Sequence, residues 1–397
     1  MNPQDQQTHH HHMDDPDRGT PMNMLWGLIL TLLTFLLIVV FVLSIDMFAD
    51  ASDPEDNPTT TPGDETSDPS DGDTNPDNPP DDNPDPDKTP DDNPNPDKTP
   101  DDNPDPDTQQ PQTPTDYMVK KTENSTELNE TLINSKHAIL VDADTHGIVT
   151  GIEYDTLIHT ASTTKVMTLL VACERLRAED LDKIVVIDAE TVAQMTAEGA
   201  SGDGLLVAEE LTVRDLLYAI GLESDGIAAV ALAKYIAGRE AAFVELKNKK
   251  AKEDLKLIRT TFENCTGLYH DNHRTTCREM ASIMLAAMDN ETVRTVLSTK
   301  IYETTTNLRP NGRSFESTYF IDVVNSYRDR GFQAQPAGGT VVAAKTGWVG
   351  PESGYCLVSY FVQSQTGKAY VAMTGNAGGA LQYLQDHIML YEDYTQQ

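Results

Sequence analysis

The chain has 397 residues, and 64 acidic side chains against 29 basic ones give it a formal charge of −35 at neutral pH. An acid excess of that size excludes a polyanion such as nucleic acid as a partner. Four cysteines are few for a secreted domain of this length and do not describe a disulfide scaffold.

Residues 1–23 read as a short cytoplasmic segment; the run His9–His12 within them carries no fold information. Met24 to Ile45 is an apolar stretch of 22 residues without a charge, long enough to cross a bilayer once as a helix. A cleaved signal peptide competes, because Ala49-Asp50-Ala51 has the small-x-small form of a cleavage site. An uncleaved anchor is preferred, since the run exceeds the usual signal core and a polar segment precedes it. Arg18 stands before the run and only acid follows it, which favours an inside amino terminus and a single-pass membrane protein. Residues 46–116 form an acidic linker. Between Asp50 and Asp116, 22 acidic residues face only Lys88 and Lys98, so this stretch holds about −20 of the charge. A ten-residue repeat, Pro80-Asp-Asp-Asn-Pro-Asp-Pro-Asp-Lys-Thr89, recurs from Pro90 and in part from Pro100. With nothing apolar to bury, the linker is expected to be disordered, and proline with like-charge repulsion extends it. At ~3.1 Å per residue it spans up to about 200 Å. A calcium-binding array is the rival reading, and proline stiffness with missing glycine turns fits it poorly.

Residues 117–397 remain for one large domain or two joined lobes. His137 to Asp144 alternates as a strand, and a Thr145-His-Gly147 turn leads to a second strand from Ile148 to Glu153. Thr163 to Arg177 is predicted helical, with Val166, Leu169, Leu170 and Cys173 on one side. Thr212 to Ala219 is a helix opened by Thr-x-x-Asp, a capping box. Further helices are predicted over Ala228–Ala237, Ala241–Leu257 and Arg274–Met288. Strands Val341–Lys345, Gly354–Val362 and Ala369–Thr374 follow in meander spacing, and a terminal helix covers Gly379 to Tyr391. The fold class is therefore α+β: an antiparallel sheet flanked by helices, with an all-helical lobe. Cys173 and Cys356 are expected to be buried thiols. Cys265 and Cys277 flank a loop, and a bridge between them in an oxidising compartment is left open. His270-Asp-Asn-His273 reads as a solvated loop rather than a metal site, and neither metal nor cofactor is expected.

Chemistry concentrates in Ser162-Thr-Thr-Lys165 and in Lys345-Thr346-Gly347 about 180 residues later. Residues three apart on a helix share a face, so the amine reaches the hydroxyl. A serine is a poor nucleophile until a base takes its proton, and a lysine held neutral is such a base. Ser-x-x-Lys alone is a weak signal; paired in this order with Lys-Thr-Gly, it is the signature of penicillin-binding proteins and class A β-lactamases.

From Asn134 to about Tyr391 the chain resembles the serine D-alanyl-D-alanine carboxypeptidases, the low-molecular-mass penicillin-binding proteins. The resemblance is carried by Asn134-Ser-Lys-His-Ala-Ile-Leu-Val-Asp-Ala-Asp-Thr, Ala161-Ser-Thr-Thr-Lys-Val-Met-Thr, Leu211-Thr-Val-Arg-Asp-Leu-Leu-Tyr218, Thr261-Phe-Glu-Asn-Cys-Thr-Gly-Leu268, Lys345-Thr-Gly-Trp and Gly354-Tyr-Cys-Leu-Val. It implies a β-lactamase/DD-peptidase-like domain without the family's carboxy-terminal β domain. It implies Ser162 as the acylated nucleophile, Lys165 as general base and Ser224 as proton relay to the leaving amine. Lys345, Thr346, Gly347 and Trp348 would bind substrate, with the Ser162 and Trp348 amides as oxyanion hole. The partners it implies are a peptidoglycan stem peptide and β-lactams, with the lipid bilayer holding the chain. One motif departs. Where the family has Ser-x-Asn, this chain has Ser224-Asp225-Gly226, and loss of the asparagine amide costs about 1.5–3 kcal/mol. That leaves a weakly active or inactive binding relative as the alternative. A class A β-lactamase ranks third, because Asn264-Cys-Thr-Gly-Leu stands where those enzymes carry a deacylating glutamate.

Overall fold

A computed structural model describes residues 116–202 and 204–395; the apolar run 24–45 and nearly all of the acidic linker lie outside them. Among the described residues no helix is long and apolar enough to cross a membrane. The elements run, in chain order, Thr126–Glu127 (β1), His137–Asp142 (β2) and Ile148–Ile152 (β3). A 3₁₀ turn, Ala161–Thr164, leads into helix Lys165–Cys173 (α1). Next come Ile184–Val186 (β4), Ala189–Ala197 (α2), Glu210–Thr212 (β5), Val213–Leu222 (α3) and Gly226–Ala237 (α4). Glu240–Lys249 (α5), Cys277–Asp289 (α6) and Glu291–Ser298 (α7) follow. Ile301–Thr304 (β6) pairs with Arg313–Glu316 (β7), and a π turn over Thr318–Val323 runs into Val324–Asp329 (α8). Gly339–Gly347 (β8), Tyr355–Gln363 (β9), Ala369–Ala377 (β10) and Ala380–Tyr394 (α9) complete the domain.

Six strands make one sheet in the order β1-β3-β2-β10-β9-β8. Only the two-residue β1 pairs in parallel; the other four ladders are antiparallel, as the sequence pattern predicts. Side chains of a strand alternate between faces, and both faces here are covered. Ile139 and Val141 of β2 and Val371 and Met373 of β10 join the larger core with α1, α3, α4 and α6. Ala138 and Leu140, with Tyr370 and Ala372, join the second core under Tyr383, Leu384, Leu390 and Tyr391 of α9. The strands therefore read as apolar runs, and the alternation sorts two cores rather than core and water.

Helix α3 begins where the capping box requires: Thr212 Oγ1 accepts from the Asp215 amide at 3.0 Å, and Asp215 Oδ2 accepts from the Thr212 amide at 2.8 Å. Asp386 in α9 fastens the start of the sheet by accepting from the Asn134 and Ser135 amides, each at 2.8 Å. Two expectations need correction, and the bridge left open between two cysteines is decided. The second lobe is not all-helical, because it carries the β4–β5 ribbon and the β6–β7 hairpin; their strands of three or four residues are too short to show a period. No bridge joins Cys265 to Cys277: all four cysteines are free. Cys173 is only partly buried, at the exposed end of α1.

Candidate active site

The nucleophile segment is wound more tightly than a plain α-helix. Thr163 donates through both its amide (3.2 Å) and its hydroxyl (2.8 Å) to the Thr160 carbonyl, which closes the 3₁₀ turn over Ser162. In a 3₁₀ turn residues i and i+3 eclipse, so Lys165 stacks directly over Ser162, and its Nζ lies 3.2 Å from Ser162 Oγ. Ala161 is held at φ +48° to present the serine. Such a left-handed alanine costs roughly 1–2 kcal/mol and persists only where its surroundings enforce it. Those surroundings are two glycines. A methyl group on Gly267 would lie 2.0 Å from the Ala161 carbonyl oxygen, and one on Gly347 would lie 2.7 Å from that of Thr160 and 3.1 Å from the Ser162 amide.

Lys165 is fully buried at the start of α1 and donates to the Thr266 carbonyl at 2.7 Å. Burial pushes its amine down to about 8, with Cys265 and Asp225 pulling the other way. An ordinary lysine carries its proton at neutral pH; this one is poised to give it up. Lys345 on β8 is also buried, donating to the Thr346 carbonyl at 3.0 Å. Burial, and then the charge of Lys165, hold Lys345 well below the usual lysine range. It is therefore less an exposed cation than the sequence suggests: an arriving carboxylate would stabilise its proton.

Ser224 lies at the head of the loop before α4, at φ +63°, with its hydroxyl buried and without a hydrogen-bond partner among the described residues. It lines the same cleft as Ser162 and Thr346. Asp225 does not substitute for the missing asparagine. Its Oδ1 caps α4 by accepting from the Ala228 amide at 2.8 Å, and burial pushes the carboxyl up to about 6. Gly226 opens α4, its amide donating to the Ser201 carbonyl at 2.8 Å. A methyl group there would stand 2.6 Å from Ala200 Cβ and 3.3 Å from Met195 Sδ. The glycine is thus matched to the close-packed 199–201 segment, and simple restoration of the family residue is blocked. Gly226→Asn is expected to lower stability by about 1–3 kcal/mol through overpacking without faster acylation. A tenfold rise in acylation at unchanged Tm would show that the 199–201 segment moves aside.

The cleft has two arms meeting at Ser162. One, of about 430 Å³, is lined by Lys165, Ala200, Thr266, Tyr269 and Trp348. The other, of about 210 Å³, is lined by Ser224, Thr318, Thr346, Tyr355 and Tyr383. Trp348 is 55 % exposed and stacks on Tyr355 with ring centroids 5.9 Å apart. β8 is the last strand of the sheet, so its free edge beside the nucleophile is able to take an extended peptide as a further strand. The structure thus brings Ser162, Lys165, Ser224, Thr346, Gly347 and Trp348 around one cleft, with Lys345 buried beside it. Sequence reasoning missed Thr266, which acts through its carbonyl and left no side-chain signal. It also missed Thr318, whose hydroxyl lies 2.9 Å from that of Thr346. His273 is not solvated: it is buried, with Nε2 2.9 Å from Thr164 Oγ1 on the nucleophile turn. Among the described residues no cluster of three or more ligands could hold a metal ion.

Comparison with known proteins points to one family. The profile of the family described as D-alanyl-D-alanine carboxypeptidase matches residues 122–377. The chain is 35% identical over 160 residues to the D-alanyl-D-alanine carboxypeptidase DacF of Bacillus subtilis, which is 40% of each protein. It is 33% identical over 224 residues to the D-alanyl-D-alanine carboxypeptidase of Streptomyces sp. strain K15, covering 55% of this chain and 72% of that one. The match thus spans well under half of the first relative and most of the second. The crystal structure of the Streptomyces K15 DD-transpeptidase superposes with a TM-score of 0.56 at 28% identity, over 67% of this chain and 98% of that one.

Proposed function

The chain belongs to the D-alanyl-D-alanine carboxypeptidase family, and from that premise we propose that it removes the terminal D-alanine from peptidoglycan stem peptides through an acyl-enzyme on Ser162. The observation that carries this reading is the buried Lys165 amine 3.2 Å from Ser162 Oγ. A neutral Lys165 accepts the hydroxyl proton as Oγ attacks the carbonyl of the penultimate D-alanine. The tetrahedral oxyanion is met by the amides of Ser162 and Trp348. The peptide C–N bond then breaks as the protonated Lys165 returns that proton, relayed through the Ser224 hydroxyl, to the leaving D-alanine amine, so Ser224 ends as a hydroxyl and Lys165 is neutral again. Water then attacks the ester, giving a proton to Lys165, which passes it to Ser162 Oγ as the C–O bond breaks and the shortened peptide leaves. The substrate carboxylate is held near Lys345 and the Thr346 hydroxyl. A β-lactam enters by the same attack, but its leaving nitrogen stays tethered to the acyl group, so it remains as a label on Ser162. The apolar run Met24–Ile45 and the acidic linker support a single-pass anchor that holds the domain at the wall, outside the membrane.

The test is D-alanine release from a pentapeptide ending in D-Ala-D-Ala, run beside covalent labelling by a penicillin. Release together with labelling is the expected result. Labelling without release favours the second reading, a binding relative, for which the Ser224-Asp225-Gly226 motif is the motivating observation. Rapid turnover of a chromogenic cephalosporin would instead indicate a β-lactamase.

A further inference from the structure

The smaller arm of the cleft is the one that takes the leaving residue. Both arms share Ser162, Ser201 and Trp348, so the scissile carbonyl stands at their junction, and Ser224, which hands a proton to the leaving amine, lines only the smaller one. At about 210 Å³ it has room for one small residue, yet among the described residues no lysine or arginine lines it. Lys345 is 1 % exposed, with its amine turned onto the Thr346 carbonyl at 3.0 Å. Glu223, the one carboxylate of the lining, is engaged by Arg313 at 3.3 Å. What the arm offers instead is a pair of half-buried hydroxyls, one from the π turn and one from β8: Thr318 Oγ1 and Thr346 Oγ1 lie 2.9 Å apart. Bonded to each other, they keep one hydrogen between them and one to spare. A carboxylate has acceptor positions for both, and such charge-assisted bonds are stronger than the neutral one they replace. The turn itself has no use for the Thr318 hydroxyl. Ser317 caps it, accepting from the Phe320 amide at 3.3 Å, and Tyr319 and Phe320 anchor it in the second core.

We infer that Thr318 is a substrate-binding residue: its hydroxyl, paired with that of Thr346, reads the terminal carboxylate of the leaving residue in an arm that no cation lines. This rests on the reading of Ser162 as the acylated nucleophile. The pair asks for two charged acceptor oxygens on one carbon. A terminal D-alanine presents them, and so does the ring carboxylate of a penicillin. An esterified terminus, or a chain that continues past the leaving residue, keeps one neutral carbonyl oxygen there and leaves one hydroxyl without its charge-assisted bond. The two threonines thereby select a chain end over cleavage within a chain.

Acylation of the full-length chain by benzylpenicillin and by its methyl ester, each followed by mass spectrometry of the adduct, tests this. The unaltered chain should favour the acid. Thr318→Val, which keeps the shape, and Thr318→Ala, which adds no bulk, should each slow acylation by the acid about tenfold. Neither should slow acylation by the ester, which never had the second charged oxygen. Thr318→Ser, which keeps the hydroxyl, should retain most of the rate with the acid, and kcat/KM for D-alanine release should follow the acid through the series. An equal loss for acid and ester overturns the inference, because that is what a displaced turn or a shifted β8 produces. An unchanged rate with the acid in the valine and alanine variants overturns it too. An unaltered chain that takes the ester as fast as the acid overturns it even if no variant folds. A chain that labels with neither compound sinks the reading of Ser162 as well, whereas label without discrimination sinks this inference alone.

Discussion

Ser162→Ala is expected to abolish covalent penicillin labelling, and to cut D-alanine release by at least about 10³-fold. Lys165→Met should slow acylation by about 10²–10⁴-fold while leaving the serine in place. The two losses should not add, because the hydroxyl and the amine act as one unit. Their geometry sets the magnitude: Nζ is 3.2 Å from Oγ, inside hydrogen-bond reach once substrate tightens the site, and the amine is excluded from water. Since burial places Lys165 at about 8, acylation by the unaltered chain should rise with pH through that value. The sign follows from the neutral amine being the form that accepts a proton. In Lys165→Met the limb should disappear. Mass spectrometry of the acyl adduct against time measures both quantities. If Lys165→Met kept its limb with only a few-fold loss, another group would be taking the proton, and Lys345 would be the first to examine.

The parts of this architecture that were legible in the sequence share a physical cause. The apolar stretches in His137–Asp144 and Ala369–Thr374 are legible as strands because both faces of the sheet are buried, and Thr212-x-x-Asp215 marks a helix start because the cap is made by those two side chains. Ser162 and Lys165 were legible because their separation of three residues is itself the catalytic geometry. What escaped depends on long-range packing. Lys247 lies in Glu-Leu-Lys-Asn-Lys-Lys, where a charged run reads as a solvated face, yet the fold turns this one lysine inward onto Phe262. His273 looked solvated because the polar loop around it gives no sign that Thr164 waits 2.9 Å away. Gly226 looked like a lost asparagine. Only the packing of Ala200 and Met195 against it shows that the neighbouring segment is fitted to a residue without a side chain.

Gly267→Ala should be among the most damaging changes that touch no catalytic atom. Two costs combine there. Gly267 has φ +84°, where a side chain costs roughly 1–2 kcal/mol. Its new methyl group would also lie 2.0 Å from the Ala161 carbonyl oxygen and 3.0 Å from the Ser162 amide, both of them backbone atoms that cannot rotate aside. Relief requires the nucleophile turn or the Asn264–Leu268 loop to shift, and that loop also carries the Thr266 carbonyl holding Lys165. A misplacement of about 1 Å at reacting atoms is enough for a 10²-fold loss. The expected result is a stability loss of about 3 kcal/mol or more with acylation down at least about 100-fold. Gly238→Ala separates the two costs. Gly238 ends α4 at φ +76° with open space around it, so it bears the conformational cost alone. It should lose about 1 kcal/mol and acylate at the rate of the unaltered chain. Equal losses of stability in the two variants, with acylation intact in both, would mean that the turn carrying Ser162 is soft enough to yield, and that the strain at Ala161 is not enforced from the Gly267 side.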